Sequence, residues 1–291
     1  MVTNTIEATK NFRAETLAQF LAFEARRALI DEAELTPKPA LVDKRGSGAH
    51  RDLNLSLLIR SANCLFPYFV EMGQLSFCRP LTPELRAALA DCGIRAELAM
   101  LAATGGSNAH RGAIWSLGLL LAAASIHELK ASFADLSNTA SLLSRMNDYR
   151  SDSYSSHGKQ VERQYGFGGA KQEGDNGFPH VFQIGVPALQ QARRAGLSPD
   201  ASKLTALISI MAELNDTCLI HRAGKRALAV AKEGAREVLK QGGPATLSGM
   251  KALLNLDAQL LKLNASPGGS ADLLAASLFV EMITYASYSG E

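Results

Sequence analysis

The sequence has little of what secreted, metal-binding or membrane proteins require. Its 291 residues include four cysteines without Cys-x-x-Cys spacing, so we expect reduced thiols rather than a disulfide framework or a zinc site. The first 17 residues mix both charges and lack an apolar core, which argues against a secretory signal. The most apolar run, residues 112–126, is interrupted by serines and is too short to span a bilayer. We therefore expect a cytoplasmic protein without a membrane partner.

An excess of one charge is also missing. The net charge is +2 and charged residues make up 20% of the chain, so we expect no nucleic-acid partner. The hydrophobic share of 47% is ordinary for a soluble globular protein, and the length is sufficient for a large core. We expect one domain that spans residues 1–291.

Alternating strand patterns are absent, whereas helical periodicity is frequent. Apolar residues recur with helical spacing in nine segments: 13–35, a stretch that follows residue 54 and ends at about residue 72, 82–101, 115–130, 133–149, 199–218, 227–240, 247–263 and 273–285. The pattern predicts an all-α fold, a single bundle-like domain of nine to twelve helices with its chemistry at the helix ends. Residues 150–187 are polar, rich in glycine and without period, so we predict a long mobile connection there.

A charged turn, residues 36–54, separates the first two predicted helices. Its Gly46-Ser47-Gly48 centre is surrounded by charged side chains, namely Lys38, Asp43, Lys44, Arg45, His50, Arg51 and Asp52. Backbone N–H groups of such a turn, followed by a helix start, favour an anion, and nearby carboxylates suit a divalent metal or a proton. The alternative is a polar connection in which Asp52 caps the next helix.

The pair His-Arg occurs three times, at residues 50–51, 110–111 and 221–222, each time beside Gly, Asn or Asp. One such pair is usually a solvated surface feature, but three in similar settings indicate convergence on one anionic, metal-assisted ligand. Gly268-Gly269-Ser270 before the last helix suits a phosphate, or else an ordinary helix cap. No zinc spacing or phosphate-binding loop ending in Gly-Lys-Ser/Thr is present. The residues alone therefore predict an α-helical, metal-assisted binder of a polyphosphate, with its reaction open.

Five segments together resemble the triphosphoribosyl-dephospho-CoA synthase family, which serves citrate lyase and malonate decarboxylase. In chain order they are PKPALVDKRGSGAHRDLN, GGSNAHRGAIWSLGLL, VERQYGFGGAKQEGDNGFPHV, LNDTCLIHRAGKRA and SPGGSADLLAASLF. The resemblance implies transfer of the triphosphoribosyl group of ATP to the 2′-hydroxyl of 3′-dephospho-CoA, with release of adenine. It implies Mg²⁺ as cofactor and a holo-acyl-carrier-protein synthase as recipient of the product. Family members often carry Lys where this chain has Arg111, which keeps the charge but changes the contact geometry.

The resemblance also implies roles for individual residues. The catalytic candidates are Asp43, His50, Asp52, His110, Asp216 and His221. The candidates for substrate and phosphate binding are Lys38, Ser47, Arg51, Asn108, Arg111, Arg222, Gly268, Gly269 and Ser270. A lid over the substrate would include Glu162, Arg163, Tyr165 and Glu173. The candidate metal ligands are Asp43, Asp216 and Asp272.

Several alternatives stay open at this point. The malonate decarboxylase system is favoured over citrate lyase, and a homodimer is one expectation for the oligomeric state. A magnesium-dependent hydrolase of the ADP-ribose type would use the same C1′ chemistry with water as acceptor. A non-catalytic helical module that binds a nucleotide would show binding without turnover.

Overall fold

The structure is a computed structural model that describes residues 2–146 and 166–288. Within those residues it contains eleven α-helices and no β-sheet, which confirms the all-α prediction. In chain order the helices are α1 (Val2–Glu34), α2 (Leu55–Ser76), α3 (Pro83–Ala103), α4 (Arg111–Ile126), α5 (Phe133–Arg145), α6 (Gly169–Asp175), α7 (Val186–Arg194), α8 (Pro199–Glu213), α9 (Thr217–Lys240), α10 (Leu247–Lys262) and α11 (Gly268–Tyr288). A π-helical turn, His180–Gly185, precedes α7.

Helix α4 lies at the centre of the fold. Twelve of its sixteen residues are buried, and the sequence is apolar on every face. A helix without a polar face has to be surrounded by other elements, and α4 packs against α1, α2, α3, α5, α6 and α11. The central position of α4 thus follows from its all-round apolarity, and the N-terminus of α4 is held deep among the helix ends.

Side-chain caps decide where several helices begin. Thr82 accepts a hydrogen bond from the Leu85 N–H, and Pro83 occupies the first turn of α3. The cap of α2 is Asn54, which accepts from the Leu57 N–H, so the alternative with Asp52 as cap is wrong. The predicted helix 199–218 begins at Pro199 as expected, but its predicted end is wrong, because α8 ends at Glu213 and Asp216 caps a new helix.

Helix α9 is longer than the predicted segment 227–240 and contains a kink. Gly224 has φ 72° and ψ −173°, a conformation that only glycine adopts readily. The kink separates the first turns of α9, which carry His221 and Arg222, from the long amphipathic remainder.

The predicted connection over residues 150–187 is irregular only in part. Residues 147–165 lie outside the described residues, but α6 and the π-helical turn occupy most of residues 169–185. Two hydroxyls of α5 anchor this segment, since Ser137 donates to the Gly177 carbonyl and Ser141 to the Asp175 carbonyl, each at 2.7 Å. The prediction of an irregular connection is therefore wrong from residue 169 onward, because this glycine-rich segment forms helices that have too little periodicity to be recognised in the sequence.

Two further predictions concern features that the chain was expected to lack. All four cysteines are unpaired, which confirms the expectation of free thiols. None of the helices in the described parts of the chain is long and apolar enough to cross a bilayer.

Candidate functional site

A cavity of about 1220 Å³ opens where several helix ends meet. Its wall combines the connection 36–54 with the N-terminal ends of α4, α9 and α11 and with one side of α3 and α6. Small-molecule sites usually measure roughly 300–1,000 Å³, so this cavity has room for more than one nucleotide-sized ligand. It brings together thirteen of the predicted site residues, namely Lys38, His50, Asp52, Asn108, His110, Arg111, Glu173, Asp216, His221, Arg222, Gly268, Gly269 and Asp272.

Four other predicted residues, Asp43, Ser47, Arg51 and Ser270, do not line the cavity. The buried carboxylate of Asp43 accepts hydrogen bonds from the Lys38 and Arg45 N–H groups at 2.9 and 2.7 Å and from Nε of Arg45 at 2.9 Å. Both of its oxygens are thus used to close the turn around Gly46. The structure places Asp43 as a tether of the connection rather than at the cavity surface. Ser47 and Arg51 lie on the outer side of the same connection, and Arg51 is exposed.

The lid candidates divide at the boundary of the described residues. Glu162, Arg163 and Tyr165 lie outside them, whereas Glu173 is a buried residue of α6. Its carboxylate accepts from the His180 N–H at 2.9 Å and contacts His180 Nδ1 at 2.8 Å. The indole N–H of Trp115 donates to the Ala170 carbonyl at 2.9 Å and links α6 to α4. Glu173 therefore holds a fixed segment of the cavity wall.

Lys38 is one of the most deeply buried charged residues, at 1% exposure. Its Nζ donates to Oε1 of Glu32 at 2.5 Å and to the Glu32 carbonyl at 2.6 Å. A buried cation needs such a partner, and the pair joins the end of α1 to the connection 36–54.

Asp216 connects the N-termini of α9 and α11. It caps α9 by accepting from the Cys218 N–H at 2.9 Å, and it accepts from the N–H and the hydroxyl of Ser270 at 2.8 and 2.9 Å. A further bond comes from the Gly269 N–H at 3.3 Å. Burial raises the pKa of Asp216, although the hydrogen bonds from Ser270, Cys218 and Gly269 act in the opposite direction. The predicted phosphate seat at the start of α11 is thus filled by a carboxylate of the protein itself.

Asp272 lies against the N-terminus of α4. A Cβ added at Gly112 would lie only 2.1 Å from Oδ2 of Asp272, so the approach depends on glycine at that position. Burial, and then the neighbouring charges of Glu32 and Asp216, raise the pKa of Asp272 well above its usual range. Within the described residues Asp272 forms no salt bridge, so this cavity-lining carboxyl has no cationic partner there.

His50 and Arg222 form a chain of hydrogen bonds across the cavity. Nη2 of Arg222 lies 3.0 Å from Nδ1 of His50, and Nε2 of His50 lies 3.0 Å from Oγ of Ser266. Because a guanidinium can only donate, Nδ1 accepts and the ring proton is on Nε2. Burial and the Arg222 charge lower the pKa of His50 to about 4. His50 therefore orients Arg222, whose exposed guanidinium has no carboxylate partner among the described residues.

The start of α4 contributes three further predicted residues. Asn108 accepts from the Arg111 N–H at 3.1 Å, and Nε of Arg111 donates to Glu97 at 2.9 Å. His110 precedes α4 and is buried, with Nδ1 lying 2.7 Å from Oγ of Ser61. Burial and then the Lys38 charge lower the pKa of His110 to about 3, so the ring is neutral at physiological pH.

Comparison with known proteins identifies the family of the chain. Residues 18–289 match the ATP:dephospho-CoA triphosphoribosyl transferase family. The chain belongs to this family. A protein of Pseudomonas paraeruginosa described as a probable 2-(5″-triphosphoribosyl)-3′-dephosphocoenzyme-A synthase is 47% identical over 268 residues, which are 92% of each chain. A Klebsiella pneumoniae protein described as a 2-(5″-triphosphoribosyl)-3′-dephosphocoenzyme-A synthase is 44% identical over 270 residues, which are 93% of this chain and 96% of its own. No solved structure matches the chain.

The candidate metal ligands of the transferase do not form a ready metal site within the described residues. No group of three or more His, Cys, Asp or Glu side chains in residues 2–146 and 166–288 is arranged to hold a metal ion. Asp43 lies away from the cavity, and Asp216 uses its oxygens on helix N–H groups. Asp272 has Glu32 and Asp216 as negative neighbours. A cation bound there would offset their repulsion of the Asp272 carboxylate.

Several cavity residues of the transferase have no signal in the sequence. Glu32 lies near the end of an ordinary amphipathic helix. Arg86 lies with its guanidinium 5.4 Å from the Trp115 ring centre, which adds a cation–π contact to the wall. Ser61, one serine inside α2, does not line the cavity but contacts the cavity residue His110. Only the packing of α1, α2 and α3 around α4 brings these side chains into or next to the cavity wall.

Proposed function

We propose that this transferase joins C1′ of the ATP ribose to the 2′-hydroxyl of 3′-dephospho-CoA, releasing adenine and keeping the triphosphate intact. The observation that carries the proposal is one cavity, large enough for two nucleotides, in which the Arg222 guanidinium and the Asp272 carboxyl both lack a partner of opposite charge within the described chain. The names of relatives that share more than nine-tenths of their length with this chain support the same reaction.

The two groups have complementary roles in this proposal. Arg222 binds the triphosphate, because a guanidinium forms paired hydrogen bonds with phosphate oxygens. Asp272 accepts the proton of the attacking 2′-hydroxyl, since a carboxyl with a raised pKa is a better base near neutral pH. The new C1′–O bond forms as the bond from C1′ to the adenine nitrogen breaks, and the purine takes up a proton as it leaves. The carboxylates in the wall also stabilise positive charge that develops at C1′.

Mg²⁺ is part of the proposal as the companion of ATP. When bound, it would neutralise charge on the triphosphate, with most of its ligands from phosphate oxygens and water. In this proposal Asp272 stays free to act as the base, and the charge of Mg²⁺ on the triphosphate would offset its negative neighbours Glu32 and Asp216, which together with burial raise the pKa of Asp272.

The wider context is taken from the family resemblance. We propose that the product goes to a holo-acyl-carrier-protein synthase that serves malonate decarboxylase, and that residues 1–291 form one domain, as a homodimer. Purified product can be offered to the carrier proteins of malonate decarboxylase and citrate lyase with their synthases. Faster labelling of the citrate lyase carrier would contradict the assignment. Sedimentation would test the dimer.

Adenine release with and without 3′-dephospho-CoA tests the reaction. We expect adenine from ATP and Mg²⁺ only when 3′-dephospho-CoA is present, together with a heavier CoA product. Adenine release in its absence, with free triphosphoribose, would instead mean a hydrolase. Bound ATP without turnover would mean a binding module, and either result would overturn the proposal.

A further inference from the structure

One ring nitrogen of His110 is hydrogen-bonded to the protein, and the other has no hydrogen-bond partner among the described residues. Nδ1 contacts the hydroxyl of Ser61, a fully buried residue in the middle of α2. Nε2 is buried and has no hydrogen-bond partner among the described residues, although His110 lines the cavity. A buried polar atom without a hydrogen-bond partner costs free energy, so the simplest explanation is that a bound ligand supplies the partner of Nε2.

The contact between Ser61 and His110 determines which ring nitrogen of His110 carries the proton. In the described chain the Ser61 hydroxyl has His110 Nδ1 as its partner, and no second acceptor lies within reach. If Nδ1 carried the proton, the serine oxygen would accept it and the buried Ser61 O–H would have nowhere to donate. If Ser61 donates to Nδ1, both groups are satisfied and the proton lies on Nε2.

The environment keeps this ring neutral, because burial, and then the charge of the nearby Lys38, lower the pKa of His110. A neutral imidazole with its proton on Nε2 has one hydrogen-bond donor left and no net charge. Its one acceptor, Nδ1, is already occupied by the Ser61 hydroxyl. His110 therefore differs from His50, whose Nε2 proton is already used by Ser266.

We propose that His110 donates its Nε2–H to an acceptor atom of the bound nucleotide, and that Ser61 is the positioning residue that fixes this tautomer. The identity of the ligand rests on the proposed function, whereas the tautomer does not. Two acceptors share the required chemistry, a ring nitrogen of the purine and an oxygen of the triphosphate.

Nitrogen NMR of the full chain labelled at histidine tests the tautomer directly. The His110 signals are identified by their loss in His110→Gln. We expect a neutral ring protonated on Nε2 in the natural sequence and a mixture of tautomers in Ser61→Ala. The matched control is Ser76→Ala, which removes another fully buried hydroxyl of α2, away from the cavity and without a partner, and should leave the signals unchanged.

Inorganic triphosphate and adenosine, each added separately with Mg²⁺, distinguish the two acceptors. A shift of the Nε2 signal with one probe supports the donor role and identifies the acceptor. A ring protonated on Nδ1, or an unchanged tautomer in Ser61→Ala, would overturn the role of Ser61. A response to neither probe would overturn the donor role. If Ser61→Ala does not fold, the tautomer of the natural chain still decides. Because this readout needs no turnover, it is independent of whether adenine is released.

Discussion

Two arginines that follow histidines in the sequence, Arg51 and Arg222, occupy different environments in the fold. Arg222 lines the cavity and is oriented by His50, whereas Arg51 is exposed outside it. The sequence motif is the same, so its repetition predicted both as phosphate ligands. The direction of a side chain on a turn depends on tertiary packing, which adjacency in the sequence does not encode.

Replacing Arg222 with alanine should weaken binding of ATP. Loss of a charge-assisted hydrogen bond to phosphate corresponds to a roughly 10- to 100-fold increase in Kd, measured by calorimetry with Mg²⁺ present. Arg222→Lys should recover only part of the affinity, since the ammonium lacks the planar fork. Arg51→Ala is the matched comparison and should change Kd by less than about twofold. Equal effects of the two alanine variants would contradict the placement of Arg222.

The neutral state of His110 should make the protein less stable in acid. Its pKa is about 3 in the fold, compared with 6.5 ordinarily, so the unfolded chain binds a proton that the folded chain does not as pH falls from 6.5. Stability then decreases by up to about 1.4 kcal/mol per pH unit. Urea denaturation of His110→Gln should show a loss between pH 6.5 and 5 that is smaller by about 1–2 kcal/mol. Other groups, including Asp216 and Asp272, are common to both proteins and cancel. The same loss in both would contradict a neutral ring.

At the scale of the helices, the cavity is made by N-termini that carry carboxylates of the protein. Asp216 joins α9 to α11, and Asp272 packs on α4 at Gly112. The helix starts at Thr82 and Leu247 follow local cap and periodicity signals, so they could be predicted. The hydrogen bond from the Ser270 hydroxyl to Asp216 could not be predicted, because 54 positions separate the two residues and neither carries a local signal for the other.

A methyl group at Gly112 should separate Asp272 from α4. The added Cβ would lie 2.1 Å from a carboxylate oxygen, so Gly112→Ala should destabilise the fold by about 1–3 kcal/mol and reduce turnover. Gly93→Ala is the matched control, because Gly93 also lies in an α-helix. The nearest atom to a Cβ added there, Cε of Met72, is 4.0 Å away. That variant should gain up to about 1 kcal/mol from helix propensity. Urea denaturation of both measures the difference, and a stable, fully active Gly112→Ala would refute the contact.

Asp216→Ala should be more damaging than an ordinary cap removal. It leaves the N–H groups of Cys218, Gly269 and Ser270 without their acceptor. These groups belong to the N-terminal ends of two helices, α9 and α11. We expect a loss of at least about 2 kcal/mol in unfolding free energy. Thr246→Ala, which removes the single cap of α10, is the comparison and should cost about 1 kcal/mol. A smaller loss for Asp216→Ala would mean that it does not join the two helices.

At the scale of the whole molecule, the fold class and many of the polar residues that line the cavity could be predicted, but the contacts between separate helices could not. Periodicity indicated the helices because α1, α4 and α11 have to bury apolar faces. Recurrent polar turns indicated the residues that meet, since helix ends are where charge can be placed without disturbing the core. The pairing of Lys38 with Glu32 and of His110 with Ser61 depends on how separate helices pack, for which one sequence provides no rule.

In the proposed reaction, the bond from the ribose to adenine breaks while the triphosphate stays whole. ATP labelled with ¹⁴C in the purine and ³²P in the γ-phosphate, incubated with 3′-dephospho-CoA and Mg²⁺, distinguishes this reaction from phosphoryl transfer. We expect all ¹⁴C that reacts to appear in free adenine and ³²P to appear in the CoA product, in equal amounts. Recovery of ¹⁴C in ADP or AMP, with ³²P in another species, would mean phosphoryl transfer and would contradict the proposed function.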